Sequence, residues 1–389
     1  MKFAHLADCH IGGWREEELK KLGIESFRYA INKCIEKNVG FVLIAGDLFN
    51  TSLPDITIIK ETSKILSELK KKNIDCYIIP GSHDFSPSGK TMLDVLENSG
   101  LVKNVFKFKN NKLKFTEDKT NTKITGILGL RSGLEKEYFQ NLEKEHLEKE
   151  QGFKIFMFHT LLEEYKPKDM ESVEGESIKN FPKNFKYYAG GHVHYVLEKE
   201  FEGGKIVYPG PLFPNNFKEL EELKFGRFCI VDDNLNVKRE EIKLKATECY
   251  FINAENKTPE EVEQEVLSTI KDYQDRIILI RVEGTLKSGK PSEINFRRIH
   301  EKLKDAYCIL RNTNKLFSKE LTEIEVDSAS TEEIEKRVIE DSKKEFKELG
   351  NKELVSRLMN ALDLEKDEGE KNSDFETRII SSGLDVLKI

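Results

Sequence analysis

The chain has 389 residues, room for two or three domains with a sizeable core, and six scattered cysteines without a C-x-x-C pair, which excludes a disulfide-stapled mini-protein. Charged residues make up 34% of it and the formal net charge is −7, which excludes a long bare nucleic-acid surface and leaves a local basic patch or a partner for any such contact. No run approaches the roughly 18 apolar residues of a membrane span, and His5 and Asp8 interrupt what a signal peptide would need as an apolar core, so a soluble, cytoplasmic protein with reduced thiols is expected.

Residues 2–7 read as a short apolar strand running into Asp8-Cys9-His10-Ile11-Gly12-Gly13. The Asp-x-His spacing lets both side chains face one side of an extended loop, as two ligands of one metal must. Leu22, Phe27, Ile31 and Ile35 at helical spacing predict an amphipathic crossover helix into Phe41-Val42-Leu43-Ile44-Ala45, a buried strand that stops at Gly46-Asp47. Ligands of parallel sheets bind beyond such carboxyl ends, although a single strand-end Asp more commonly caps a turn. Beyond the breaker at Pro54, Ile58, Ile59, Leu66 and Leu69 mark a second helix, and residues 74–79 a third strand, which empties into Pro80-Gly81-Ser82-His83-Asp84.

Short apolar runs between 105 and 130 predict strands of a second sheet, followed by a charged, solvated helix over 134–149. The strand at 153–158 ends in His159, and the polar loop at 163–176 is too acidic for direct phosphate contact. Residues 186–189 run into Gly190-Gly191-His192-Val193-His194, where glycine lets the backbone approach an ion closely. A hairpin across Gly203-Gly204 and two antiparallel strands at 225–231 and 237–244 close this domain near 245.

A small α+β module follows, with a strand at 251–252, a capped helix opening at Thr258-Pro259-Glu260-Glu261, strands at 276–282 and 306–310 and a helix over 291–303. Arg281, Lys287, Lys290, Arg297, Arg298, Lys302, Lys304 and Arg311 make its second half locally basic, which is either a solvated surface or a phosphate-backbone contact. Beyond 312 the chain reads as a linker. A capping box at Ser330-Thr331-Glu332-Glu333 opens one amphipathic helix, and Leu354, Leu358 and Leu362 stripe a second. Two such helices need a surface to cover them, either their own catalytic domain or a partner protein. The acidic run at 365–374 reads as a flexible spacer.

Collected in order, the strand-end groups are Asp8, His10, Asp47, Ser82, His83, His159, His192 and His194, which hold five of the chain's eight histidines. Mixed carboxylate and imidazole ligands suit Mn, Fe or Zn better than Ca or Mg, and this set is too large for one tetrahedral site, implying two ions sharing a carboxylate. The ordered strings D-x-H, G-D, G-S-H-D, a lone His159 and G-H-x-H resemble the motifs of calcineurin-like metallophosphoesterases. The first-strand form, Gly46-Asp47-Leu48-Phe49 and Tyr208-Pro209-Gly210 look most like the SbcD branch, which includes the double-strand-break repair nuclease Mre-eleven of archaea.

The resemblance implies a four-layer α/β/β/α nuclease core over 1–245, a small α+β DNA-capping domain over 246–312, and over 313–389 a linker with helices that bind a coiled-coil ABC-type ATPase (SbcC or Rad-fifty). It further implies a homodimer without a membrane segment, acting on DNA phosphodiesters with two divalent ions, Mn(2+) foremost. Asp8, His10, Asp47 and His194 would hold one ion; Asp47, His159, His192 and the position of Ser82 would hold the other. His83 would serve catalysis beside the substrate. Two departures stand out: Ser82 replaces the family's asparagine, a shorter and weaker ligand, and Pro211-Leu212-Phe213 replaces a serine followed by polar residues. A phosphoesterase for nucleotides or phosphoproteins, and a catalytically weakened structural subunit, are the alternatives.

Overall fold

The computed structural model describes residues 1–86, 91–170, 173–319, 357–358, 361–362 and 372–387. Contacts divide the chain into two units, 1–319 and 320–389.

Strand β1 (Lys2–Leu6), helix α1 (Glu17–Glu36) and strand β2 (Phe41–Ala45) form the β-α-β unit that the periodicity predicts, and α2 (Ile56–Lys71) leads to β3 (Asp75–Ile79). The three strands are parallel neighbours, with Phe3 opposite Phe41 and Phe41 opposite Asp75. A parallel sheet is covered on both faces, which explains an apolar run without alternation. Val42 and Ile44 of β2 pack with Phe27 and Ile31 of α1 and Ile65 and Leu66 of α2, while Phe41, Leu43 and Ala45 face the other way. Helix α3 (Met92–Asn98) and β4 (Lys103–Asn104) close that edge, and a small hairpin follows, β5 (Phe108–Lys109) with β6 (Lys112–Leu113).

The second sheet is built from β7 (Thr116–Glu117), β8 (Thr122–Gly126), β9 (Phe153–His159), β10 (Tyr187–Gly191), β11 (Leu197–Phe201) and β12 (Gly204–Tyr208), ordered β11-β12-β10-β9-β8-β7. Its inner face, with Ile155, Met157, Tyr187 and Val207, meets Phe3, Phe41, Leu43 and Tyr77 of the first sheet in a fully buried layer. Helices α4 (Lys136–Asn141) and α5 (Glu145–Lys149) help cover its outer face through Phe139 and Leu147. Two sheets between two helical layers give the α/β/β/α arrangement.

The single helix expected over 134–149 is thus two short ones, because buried Leu142 takes an extended backbone (ψ 120°) between them. Phe139, Leu142 and Leu147 all reach the same core, and the step from 142 to 147 puts the last two on different faces of any one continuous helix. Helix α6 (Phe217–Leu223) precedes the hairpin of β13 (Gly226–Asp232) and β14 (Val237–Ile242), and β13 pairs antiparallel with β1, so the chain returns to complete the first sheet.

A third, parallel sheet comprises β15 (Thr247–Asn253), β16 (Ile277–Leu286) and β17 (Cys308–Ser318), with α7 (Pro259–Thr269) and α8 (Phe296–Lys302) as crossovers. The reciprocal cap predicted for α7 is formed: Thr258 Oγ1 accepts from the Glu261 N–H at 3.3 Å, and Glu261 Oε2 accepts from the Thr258 N–H at 2.8 Å. One face of the sheet packs on α7 and α8; on the other, Ile277, Leu279, Cys308 and Leu310 meet Leu19 and Leu22 of α1 and Leu220 of α6.

Strand β17 continues to Ser318, beyond the point at 313 where a linker was expected. The polar Asn312-Thr313-Asn314 masks the pattern, yet after a bulge at Arg281/Glu283 residues 315–318 pair with 283–286 and Leu316 enters the core. The helix expected over 291–303 shortens to α8, because Ile294 is extended and buried and Asn295 caps the helix through the Arg298 N–H at 3.0 Å. Much of the basic charge of this module is paired: Arg281 with Glu221, Arg298 with Glu263 and Lys287 with Glu261.

In residues 320–389 a helix α9 (Asn372–Leu387) begins inside the run read as a spacer. The helices expected from Ser330 and along Leu354, Leu358 and Leu362 lie outside the described residues, apart from helical 357–358 and 361–362. Among the described residues no helix is long and apolar enough to cross a membrane.

Candidate metal centre

The carboxyl ends of β1, β2, β3, β9 and β10 point to one place, where the two sheets meet. The loops after β1 and β2 continue to pair, with the Asp8 N–H on the Gly46 carbonyl at 3.2 Å and the His10 N–H on the Asp47 carbonyl at 3.0 Å. Contacts at this end also cross between the sheets: the His192 N–H donates to Asp8 Oδ1 at 2.8 Å, and His159 Nδ1 donates to the Ala45 carbonyl at 2.8 Å.

Turning side chains inward at a strand end needs unusual backbone. Asp8, His10, Asp47, His192 and His194 all have positive φ (49°, 40°, 51°, 97° and 53°), a region costly for side-chain-bearing residues and concentrated at functional sites. Gly46 and Gly81 have a different reason: a Cβ at Gly46 would strike the His159 ring, and one at Gly81 would strike Asp47.

Around Asp47 the donors form two groups. Its Oδ2 lies 3.6 Å from His10 Nε2 and 3.1 Å from His159 Nε2, while its Oδ1 accepts the His83 N–H at 2.8 Å. On one side His10 Nε2 and His194 Nε2 are 2.9 Å apart, with Asp8 Oδ1 3.9 Å from His194 Nε2. Two nitrogens each ~2.1 Å from one ion at a right angle would be ~3 Å apart, so this spacing fits shared ligation. On the other side, His159 and His192 stack edge to face at 5.1 Å.

Three tight groups result: Asp8 with His10 and His194; Asp8 with Asp47 and His159; and His10 with Asp47 and His83. His83, expected to act beside the substrate, thus shares a group with His10 and Asp47, its ring 4.8 Å from that of His10. Ser82 is buried next to it, and His192 lies beside His159 but outside these three groups.

The donor chemistry fits divalent cations. His159 gives its Nδ1–H to Ala45, so Nε2 is the ring nitrogen that faces Asp47, and it finds no hydrogen-bond partner among the described residues. His10 Nδ1 is likewise buried and without a hydrogen-bond partner among the described residues. Burial pushes His10 and His192 down to about 3, which keeps both imidazoles neutral as ligands must be. Burial also raises Asp8. Burial opposes charge on Asp47 and His159 too, but their mutual attraction outweighs it, holding Asp47 low and raising His159 to about 10, so a cation bound here would take the place of the His159 Nε2 proton. Two carboxylates packed in a buried site with this many imidazoles call for positive charge between them.

Two supporting carboxylates were not singled out from the sequence. Glu219 Oε1 accepts from His194 Nδ1 at 2.9 Å, and its Oε2 accepts from the Asn215 N–H at 2.8 Å. This fixes the His194 tautomer with Nε2 bare, the usual outer partner of a metal-bound imidazole. In the sequence, Asn216 and Glu219 show only a helix-start signal, and the structure does contain that cap. The second is Asp84, which is buried and accepts three backbone N–H bonds at 3.1 Å, from Leu48, Phe49 and Gly81, tying the loops after β2 and β3 together. Burial, followed by the Asp47 charge, raises Asp84 to about 7 despite these donors.

Residues 1–196 match the model of the calcineurin-like phosphoesterase family. Among curated proteins, the chain is 27% identical over 367 residues to the DNA double-strand break repair protein Mre11 of Archaeoglobus fulgidus, covering 87% of this chain and 80% of that one. The Mre11 proteins of Methanococcus maripaludis (32% over 219 residues; 54% and 55% covered) and Methanocaldococcus jannaschii (27% over 269 residues; 66% and 70% covered) are also similar. With about half of its length matched by the family model, the chain belongs to the calcineurin-like phosphoesterases and is a metal-dependent hydrolase.

Proposed function

We infer that the protein is a two-metal DNA nuclease of double-strand-break repair, cleaving phosphodiesters with Mn(2+) as its foremost ion. The observation that carries the reading is Asp47 Oδ2 set between His10 and His159, at 3.6 and 3.1 Å, as a carboxylate bridging two ions would be. Similarity to archaeal double-strand-break repair proteins supports DNA as the substrate. In this reading Asp8, His10, Asp47 and His194 hold one ion, and Asp47, His159, His192 and Ser82 the other. Residues 1–245 are the nuclease domain, 246–312 with the rest of β17 the capping domain, and the C-terminal helices the docking segment for a coiled-coil ABC-type ATPase. The working form is a cytoplasmic, nucleoid-associated homodimer.

Bound divalent ions supply charge for the phosphate oxygens and a water acidic enough to attack phosphorus near neutral pH. The chain's own residues do the rest. Buried Asp8 holds the His192 backbone and buried Asp47 the His83 backbone, each by accepting an N–H at 2.8 Å, and Glu219 holds His194 in one tautomer. His83 gives its Nδ1–H to the Asn50 carbonyl at 2.8 Å, so Nε2 is the ring nitrogen that, when the ring is doubly protonated, passes a proton to the departing oxygen and leaves a neutral imidazole.

The test is cleavage of linear double-stranded DNA, single-stranded DNA and a chromogenic phosphodiester in Mn(2+), by wild type and His83→Ala. DNA cleavage that disappears in the variant is expected. Cleavage of the small ester alone would instead mark a small-substrate phosphoesterase, and inactivity on every substrate a structural subunit.

A further inference from the structure

We propose that Arg131 anchors a phosphate next to the scissile one, so that the site takes a continuing polynucleotide strand rather than an isolated ester; this rests on the nuclease reading above. A cleft of about 550 Å³ opens beside the metal centre, lined by Ser82, His83 and His192 together with Arg131, Lys136 and Thr160. That volume is in the range that encloses a whole ligand, far beyond one phosphate group.

The loop carrying Arg131 is fixed to the centre. The Gly129 N–H donates to the Pro80 carbonyl at 2.9 Å, just before the Ser82 loop. Buried Glu135 then accepts from the Leu130 N–H at 3.2 Å and from the Thr160 hydroxyl at 2.7 Å, beside His159. Arg131 itself is exposed, and its Nε donates to the Ser82 carbonyl at 3.4 Å. Its two terminal nitrogens have no protein partner among the described residues.

Of the cations lining the cleft, Lys136 is paired with Glu174 at 2.9 Å, whereas Arg131 has no carboxylate partner among the described residues. A guanidinium braced by one N–H and open on its forked edge is the group that grips a phosphate with two parallel hydrogen bonds. Glu174 offsets the Lys136 charge, so the field that attracts a polyanion centres on Arg131.

The experiment is steady-state kinetics in Mn(2+) on a labelled oligonucleotide and on bis(p-nitrophenyl) phosphate, with wild type, Arg131→Ala and Arg131→Lys, at two salt concentrations. In Arg131→Ala, the oligonucleotide KM should rise about tenfold or more, as loss of a charged hydrogen-bonded pair predicts, and the slope of log KM against log salt should fall by about one. Turnover of the small ester should stay within about twofold, which also shows the variant folded, since it has no second phosphate to lose. Arg131→Lys should restore part of the oligonucleotide KM. Equal loss on both substrates would place Arg131 at the scissile phosphate and overturn the proposal, and so would no loss on either. Wild-type activity on the ester without activity on the oligonucleotide would instead defeat the nuclease reading.

Discussion

Replacing Glu219 by alanine should weaken one bound ion and spare the other. In the structure its Oε1 is 2.9 Å from His194 Nδ1, and His194 Nε2 is 2.9 Å from His10 Nε2, so a single carboxylate sets both the proton position and the ring angle of a ligand. Removing such a partner costs ~10- to 100-fold in metal affinity, or ~1.4 to 2.7 kcal/mol. Glu219→Gln keeps an acceptor oxygen and should lose less. Titration calorimetry of metal-free protein with Mn(2+) reads both sites, and Glu219→Ala should show one weakened site of two. Asn216→Ala is the control. It removes the cap on α6, worth about 0.5 to 2 kcal/mol, and the Asn216 amide bond to Glu219 Oε1, but keeps the Glu219 carboxylate on His194, so melting should fall while metal binding holds far better than in Glu219→Ala. Folded Glu219→Ala with both affinities unchanged would refute the reasoning.

Asp47→Ala should abolish both bound ions rather than one, read as metal content after dialysis; two retained ions would end the bridging role. Ser82→Asn should tighten the second ion, because an amide oxygen reaches further and ligates better than a hydroxyl, and activity should then saturate at lower Mn(2+). An identical metal requirement in both proteins would defeat that expectation. Away from the centre, buried His5, held by the Tyr187 hydroxyl at 2.9 Å, is pushed down to about 3 by burial. The unfolded chain therefore binds this proton below about pH 6.5 while the folded one refuses it, so stability falls on acidification from 6.5 toward 3 by up to ~1.4 kcal/mol per pH unit. His5→Gln should flatten the denaturation midpoint in that window; parallel curves for the two proteins would rule His5 out as the cause.

How far the site was legible depends on distance along the chain. Asp47 and His83 were visible because each ends a run of buried apolar residues, and the recurrence of that pattern at Asp8, His159 and His192 made a common destination the economical reading. Glu219 was not visible: it lies 25 residues along the chain from His194, which it holds, and its spacing to Asn216 has a sufficient local explanation in the helix cap. Arg131 stood unremarked just before the stretch 134–149 read as a solvated helix, which the structure breaks at Leu142. Strand β17 was cut short because its polar middle has no local strand signal, while its end is held by pairing with β16.

Taken alone, the sequence determined the periodic elements, the order of the strand ends and the ligand types collected there, since hydrophobic period and turn chemistry act within a few residues. The tertiary structure decided what long-range contact must impose. It forced five site residues to positive φ, set Asp47 between His10 and His159, paired Arg281 with Glu221 and left Arg131 open to the cleft. Those outcomes depend on which strands lie side by side and which charges meet across the fold, and only the packed sheets bring those groups together.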